Sequence, residues 1–453
     1  MKKNHKKDTI CAIATGSGSG AISIIRLSGK DSFEICNKIF SKDITNEKSH
    51  TVHFGTIKKE NKIIDEVLVS IFKNPHSFTA ENVVEISCHG SKFIQQQIMN
   101  VLIENGARSA RPGEFTLRAF INGKMDLSQA EAVADLITSE NEKAHQVALN
   151  QMRGGFSNEL QTLREQLINF ASLIELELDF SEEDVEFANR QQFNQLLQLI
   201  RNKLNQLIAS FQLGNVIKNG IPVAILGAPN VGKSTLLNAL ANEEKAIVSE
   251  IAGTTRDTIE DVINIDGLSF RFIDTAGIRE TKNKIENIGI QKALEKAEKA
   301  KLVICLLDAT IDIQPQLEEI EKLDIQLQHK LIVVINKIDL NKRISDTIKE
   351  KDYLLISAKN KKGVPELKKK LIDVTDNSFA NNGTIISNSR HQEELTNTLT
   401  EINTIINGLN TDISGDFLAV NIRQALYHLG LITGEVTTDD LLGNIFGKFC
   451  IGK

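Results

Sequence analysis

The sequence predicts three architectures in one chain: a mixed α/β domain at the N-terminus, an all-helical domain made of two separated stretches, and a second α/β domain inserted between those stretches. Three observations predict it. Strand-like apolar runs and one helix-like segment share residues 1–122. Apolar residues recur at helical spacing from Leu127 to about 218, and again from His391 onward. Between them, from 219 to 377, apolar runs each end in a short polar string.

The first domain begins after a lysine-rich start, Lys2, Lys3, Lys6 and Lys7, which reads as a solvated tail ahead of the strand-like run Ile10–Ala14. That run is too short and wrongly bordered for a secretory signal. Strands are expected at Ala21–Arg26, Glu66–Phe72 and Asn82–Ser87, and a helix at Phe93–Glu104 capped by Asn105-Gly106. Gly16-Ser-Gly-Ser-Gly20 lacks the spacing of a dinucleotide fingerprint and reads as a flexible turn. Arg26 and Glu85 interrupt apolar strands, where simple alternation would leave them on a solvent face.

In the helical stretches Ala130, Val133, Ala134 and Ile137 follow the i, i+3, i+4, i+7 rule. Leu160, Leu163, Leu167 and Ile174 continue it, as do Phe193, Leu196, Leu197, Ile200, Leu204 and Leu207. The acidic piece Glu175–Asp184 reads as a solvated helix end and turn. Leu395, Leu399, Ile402, Ile405 and Ile406 resume the apolar stripe. The expected boundaries are 1–122 for the first domain, 123–218 with 378–453 for the discontinuous helical domain, and 219–377 for the insert, since insertion is tolerated at surface sites.

The insert carries the chemistry. Gly227-Ala-Pro-Asn-Val-Gly-Lys-Ser234 fits G-x-x-x-x-G-K-[ST], preceded by the apolar run Ile221–Leu226 and followed by a helix opening, Thr235–Leu240. Backbone N–H groups around such glycines, including those of Val231, Gly232 and Thr235, can close on phosphate oxygens. Lys233 would reach the β- and γ-phosphates and the Ser234 hydroxyl would ligate Mg²⁺. Ile273-Asp-Thr-Ala-Gly277 gives D-x-x-G, with Asp274, Thr275, Ala276 and Gly277 facing Mg²⁺ and the γ-phosphate. Asn336-Lys337-Ile-Asp339 follows the strand Ile332–Ile335, and Asp339 can accept both N1–H and the exocyclic amine of guanine. Ser357-Ala358-Lys359 follows Tyr353–Ile356 and suits guanine O6. Four strings in order, each at a strand end, predict an α/β P-loop (Ras-like) GTPase domain that binds GTP.

Gly253-Thr-Thr-Arg-Asp257 occupies the switch position, and Thr255 is the candidate for the Mg²⁺ shell. Ile278 stands where Ras-like proteins carry the glutamine that orients water. Glu286 is one candidate for that job, although composition alone favours a solvent-facing role for it. Asn230, inside the phosphate loop, has a side-chain oxygen that could ligate a monovalent cation.

These strings, together with Ala110-Arg-Pro-Gly-Glu-Phe115, Ala119–Lys124, Leu127–Ala132, Thr438–Gly443 and the ending Phe449-Cys-Ile-Gly-Lys453, closely resemble the MnmE (TrmE) family of tRNA modification GTPases over essentially the whole length. The resemblance implies modification of the tRNA wobble uridine at C5, with a flavin-dependent MnmG (GidA)-type partner and a folate one-carbon unit. It implies a homodimer whose GTPase is stimulated by K⁺ at Asn230, Ser249, Ile251 and Thr254, within the loop that includes Glu250, Ala252 and Gly253. It assigns catalysis to Glu286, and folate binding to Arg26, Glu85, Lys124 and Lys453. The alternative reading, from another class, is a GTP-switched RNA or ribosome assembly factor without modification chemistry; such proteins lack the N-terminal unit and the Cys-Ile-Gly-Lys ending.

Composition agrees with a globular chain. Of 453 residues, 41% are hydrophobic and 25% charged, which suffices for about three domain cores. No apolar stretch approaches the ~18 residues of a membrane span, and a cytoplasmic protein is expected. Five scattered cysteines form no C-x-x-C and suit a reducing compartment. Cys305 reads as core, and Cys88 beside His89 is an unpersuasive nucleophile–base pair because strand neighbours face opposite ways. Cys450 reads either as a buried inert thiol or as a group near the one-carbon chemistry. A net charge of −6 argues against a broad basic surface for gripping tRNA.

Overall fold

The structure is a computed structural model that describes residues 8–16, 18–179, 190–241, 261–273, 300–318, 331–341, 353–376, 383–411 and 415–452. By internal contacts the chain divides into two units: 1–137 with 150–197 and 400–453, and 138–149 with 198–399.

The first unit opens with β1 (Ile10–Ile13), β2 (Ile22–Ser28), α1 (Ser32–Ile39), β3 (Thr51–Lys59), β4 (Lys62–Phe72), β5 (Val83–His89), α2 (Lys92–Glu104), β6 (Arg108–Ser109) and α3 (Glu114–Ile121). The strands form one sheet in the order β3-β4-β5-β2-β1-β6. Alternation sorts its two faces. Ile25, Leu27, Val67, Val69, Ile71, Val84 and Ile86 are buried in one core with residues of α1 and α2. On the other face Ile10 and Ala12 pack with Ala110, Phe115 and Phe78. As expected, α2 ends at Asn105, with Gly106 at φ +110°.

The helices that follow are α4 (Leu127–Thr138), α5 (Glu142–Met152), α6 (Gly155–Asp179) and α7 (Arg190–Asn219). Leu160, Leu163, Leu167 and Ile174 are buried along α6, and Phe193, Leu197, Ile200, Leu204 and Leu207 along α7. The stripe on α4 differs from its periodicity: Ile137 is 43% exposed, while Ser128 and Glu131 are buried. Ser128 is drawn inward by hydrogen bonds, its hydroxyl to Ser157 at 2.9 Å and its carbonyl to the Gln151 amide at 2.9 Å.

In the second unit the sheet order is β12-β11-β10-β7-β9-β8, built from β7 (Ile221–Leu226), α8 (Lys233–Ala241), β8 (Asp261–Ile265), β9 (Leu268–Phe272), β10 (Leu302–Asp308), β11 (Leu331–Asn336), β12 (Leu354–Leu355) and α9 (Val364–Asp376). All neighbours are parallel except β8 and β9. Every residue of β10 is buried, because a central parallel strand is covered on both faces. Leu302, Ile304 and Leu306 enter one core and Val303, Cys305 and Leu307 the other.

The chain closes with α10 (Ser389–Asn410), α11 (Gly415–Thr433) and α12 (Asp439–Phe446). Arg164 of α6 donates to the Leu426 carbonyl of α11 at 2.7 Å, and Arg423 pairs with Glu175 at 2.7 Å. No helix among the described residues is long and apolar enough to cross a membrane.

Candidate functional site

The carboxyl ends of β7, β10 and β11 converge, where ligands bind in open parallel sheets. The loop leaving β7 has Gly227 at φ +150°, Asn230 at +63° and Gly232 at +106°, a backbone path that turns N–H groups inward before α8 begins at Lys233. A side chain at Gly232 would collide with the Asn336 amide, so glycine is required for the approach as well as for its φ. Lys233 Nζ donates to the carbonyls of Gly227 at 2.6 Å and Ala228 at 3.4 Å, and burial lowers its pKa from the ordinary lysine value. Ser234 and Thr235 are exposed at the N-terminus of α8, which favours anions.

Asn336, only 3% exposed, joins two loops. Its Nδ2 donates to the Val231 carbonyl at 2.9 Å, and its Oδ1 accepts from the Ala358 N–H at 3.0 Å. Asp339 Oδ1 accepts from the Ser357 hydroxyl at 2.7 Å. Ser357 and Lys362 exchange backbone hydrogen bonds at 2.9 and 3.2 Å, closing the loop that carries Ala358 and Lys359. Thus Asn230, Val231, Gly232, Lys233, Asn336, Lys337, Asp339, Ser357, Ala358 and Lys359 come to one end of one sheet. Ser249, Glu250, Ile251, Ala252, Gly253, Thr254, Thr255, Asp274, Thr275, Ala276, Gly277, Glu286 and Lys453 lie outside the described residues.

A second constellation lies on the far face of the N-terminal sheet. Arg26 and Glu85 are cross-strand partners, and Arg26 Nε and a terminal guanidinium nitrogen each reach Glu85 Oε1 at 2.8 Å. The guanidinium carbon lies 5.5 Å from the Phe78 ring centre and 5.7 Å from that of Phe115. Alternation alone left Arg26 and Glu85 on a solvent face; they are instead half-buried and paired. Phe78 escaped sequence reasoning because it stands alone in a polar loop, whereas Phe115 closes a string already singled out. Lys124 is exposed just past α3, its N–H bonded to the Ala119 carbonyl at 2.9 Å. The chain end returns here: the Gly113 N–H donates to the Cys450 carbonyl at 3.3 Å, and Gly452 abuts Ile13 so closely that a side chain would collide.

A charge network centred on the buried Arg118 and Glu114 ties α3 to β6 and to Asp8, just ahead of β1. Arg118 meets Asp8 at 2.7 Å, Glu81 at 3.2 Å and Glu114 at 3.3 Å, while Arg108 reaches Glu114 at 2.6 Å and Asp8 at 2.7 Å. Burial raises the Glu114 carboxyl, but the Arg108 and Arg111 N–H bonds and the two guanidinium charges outweigh it and hold it below the ordinary glutamate value.

Cys88 and His89 do not form a pair. The thiol is buried against the Ser23 carbonyl, and burial with the Asp65 charge pushes it up to about 11. His89 turns to Asp65 instead, Nδ1 to Oδ1 at 2.7 Å. Cys305 is core. Cys450 is exposed rather than a buried thiol.

Two family models match the chain: the TrmE N-terminus, described as a GTP-binding protein, over residues 9–124, and the MnmE helical domain over residues 127–450. Among curated relatives, the tRNA modification GTPase MnmE of Christiangramia forsetii is 56% identical, covering 100% of each chain. That of Flavobacterium psychrophilum is 57% identical over 98% of this chain and 99% of its own. That of Bacteroides fragilis strain YCH46 is 51% identical over 99% of this chain and 100% of its own.

Proposed function

The chain belongs to the MnmE family of tRNA modification GTPases, and from that premise we propose how its residues divide the work. It is a GTPase acting in tRNA modification. The reading rests chiefly on Asn336, whose paired bonds to Val231 and Ala358 support a single guanine-nucleotide site made from the phosphate loop and the base-reading loops.

In this proposal residues 219–377 form the GTPase domain, 123–218 with 378–453 the helical domain, and 1–122 a folate-binding and dimerisation domain. Asp339 accepts from guanine, the Ala358 loop faces O6, and Lys233 neutralises the β- and γ-phosphates. The side-chain oxygen of Asn230, within the phosphate loop, is the group proposed to meet a cation beside the phosphates. Asn230 with Ser249, Ile251 and Thr254 would hold K⁺, which supplies the positive charge that an arginine supplies elsewhere. Ser234 and Thr255 would hold Mg²⁺. Glu286 orients the attacking water in place of the absent glutamine at Ile278.

The Arg26–Glu85 constellation fits a folate in its donor set: the Glu85 carboxylate, held by Arg26, for the pterin's amine donors, with Lys124 and Lys453 for the anionic glutamyl tail. Folate supplies the one-carbon unit for C5 of the wobble uridine. A flavin-dependent MnmG-type partner completes a heterotetramer or larger complex in the cytoplasm, where a homodimer of this chain meets tRNA. The test is mass spectrometry of tRNA nucleosides from a deletion strain complemented with this chain or with its Arg26→Ala variant. Loss of a C5-modified wobble uridine, restored by the unmutated chain only, is expected. Unchanged wobble uridines in the deletion strain would overturn the modification reading.

A further inference from the structure

Asp308 closes β10 and belongs to none of the nucleotide-binding strings. Its register opposite Asn336 brings its carboxylate to Lys337, and Oδ2 accepts from Nζ at 2.6 Å. The carboxylate is aimed. Its other oxygen accepts from the Thr310 N–H at 2.9 Å and the Thr310 hydroxyl at 2.6 Å. Gln316 braces the backbone on both sides, accepting from the Asp308 N–H at 3.0 Å and donating to its carbonyl at 3.1 Å. Side-chain exposures of 13% for Asp308 and 29% for Lys337 keep the pair largely out of water. Burial raises the Asp308 carboxyl, yet the Lys337 and Thr310 hydrogen bonds and the Lys337 charge outweigh it, so the group is ionised at neutral pH.

The need for such a clamp follows from Asp339, two residues beyond Lys337. Ser357 already occupies Asp339 Oδ1, so reading guanine depends on the remaining carboxylate capacity. An ammonium released from Asp308, on a flexible side chain two residues from Asp339, would compete for it, since a charge-assisted pair is stronger than the bonds to a neutral base. We propose that Asp308 is a positioning residue for base recognition: it holds the Lys337 ammonium away from Asp339 and so keeps that carboxylate open for guanine. The inference rests on the reading of Asn336–Asp339 as the base site.

The test is a double-mutant cycle in the full-length protein, read by affinity for fluorescent GDP and xanthosine diphosphate and by steady-state turnover. Asp308→Asn is nearly isosteric and should weaken GDP about tenfold, with the loss in KM rather than in kcat. Asp339→Asn should gain xanthosine diphosphate, because the base's C2 oxygen can accept from an amide. In that background no carboxylate remains to capture Lys337, so adding Asp308→Asn should leave xanthosine diphosphate affinity unchanged within about twofold. Thr310→Ala, a gentler disturbance of the same aim, should give a smaller GDP loss with the same dependence on Asp339, and it serves if Asp308→Asn fails to fold. Equal losses for GDP and for xanthosine diphosphate would reduce Asp308 to a general structural role and overturn the inference, as would undiminished GDP affinity. If Asp339→Asn gained no xanthine nucleotide, the base-site reading would fall first and visibly, taking this inference with it.

Discussion

Asn336→Ala is the sharpest probe of the nucleotide site, because it removes a joint between loops rather than a ligand contact. The substitution strips a partner from the Val231 carbonyl and from the Ala358 N–H, whose bonds to Asn336 are 2.9 and 3.0 Å long. Asn336 is 3% exposed, so water reaches neither group without rearrangement. Each unsatisfied buried group costs about 1–3 kcal/mol. The carbonyl, with a second lone pair, tolerates the loss better than the N–H, and a total of about 3 kcal/mol is expected. A chain of several domains has no single unfolding free energy, so hydrogen exchange is the appropriate assay. At about 1.4 kcal/mol per decade, the Ala358 amide should exchange roughly a hundredfold faster, with smaller gains through the phosphate loop. GDP affinity should fall in parallel, since both loops must then be ordered by the ligand. Unchanged protection at Ala358 would refute the bridge, whatever happened to affinity.

Turnover should be faster in KCl than in NaCl at equal ionic strength, and Asn230→Ala should flatten the difference while retaining GDP binding; equal rates in both salts for the unmutated protein would remove K⁺. Glu286→Ala should bind GTP and Mg²⁺ nearly normally yet lose most of its turnover, measured as phosphate release, because the group acts in the transition state; normal turnover would return Glu286 to a solvent-facing role. Glu114 is held below the ordinary glutamate value in the fold, so its contribution is complete above the unfolded glutamate value and is lost as pH falls through the lowered one. Glu114→Gln should therefore lower N-terminal-unit stability at neutral pH, by about 3 kcal/mol for a broken buried pair, and flatten part of its acid dependence in an exchange-versus-pH series.

What could be read from the sequence follows from where each element lies. The bounds of β7 coincide with the apolar run Ile221–Leu226, and β11 extends the run Ile332–Ile335 by one residue at each end, because strands covered on both faces read as uninterrupted hydrophobic runs. β3 was not legible. Val52 and Phe54 are 60% and 57% exposed, and its alternation with Thr, His and Gly resembles neither a core strand nor a polar loop. Ile137 misled in the opposite way, since an apolar residue at helical spacing carries no information about whether a partner surface exists beside it. The loop Gly227–Ser234 and the strings at Asn336–Asp339 and Ser357–Lys359 fall at strand ends as expected, because such strings follow the local backbone at the end of a parallel strand. Within Asn336–Asp339, however, sequence reasoning named the residues without distinguishing the asparagine's joining role from the recognition role proposed for the aspartate.

The pairing of buried charges was the least legible feature, for a common physical reason. A desolvated charge is tolerated only with a partner, and in this chain the partners are far apart in sequence: Arg26 and Glu85 by 59 residues, Asp308 and Lys337 by 29. Taken alone, Arg26, Glu85 and Asp308 each look like a solvated residue on an otherwise apolar strand. Only strand register resolves them, by setting Arg26 opposite Glu85 and Asp308 opposite the residue before Lys337. A lone charge in an apolar run is therefore better read as half of a cross-strand pair than as a break in the pattern. In the N-terminal sheet that pair is itself proposed to meet a ligand, and in the second it stands beside Asp339, where an aimed charge has chemistry to protect.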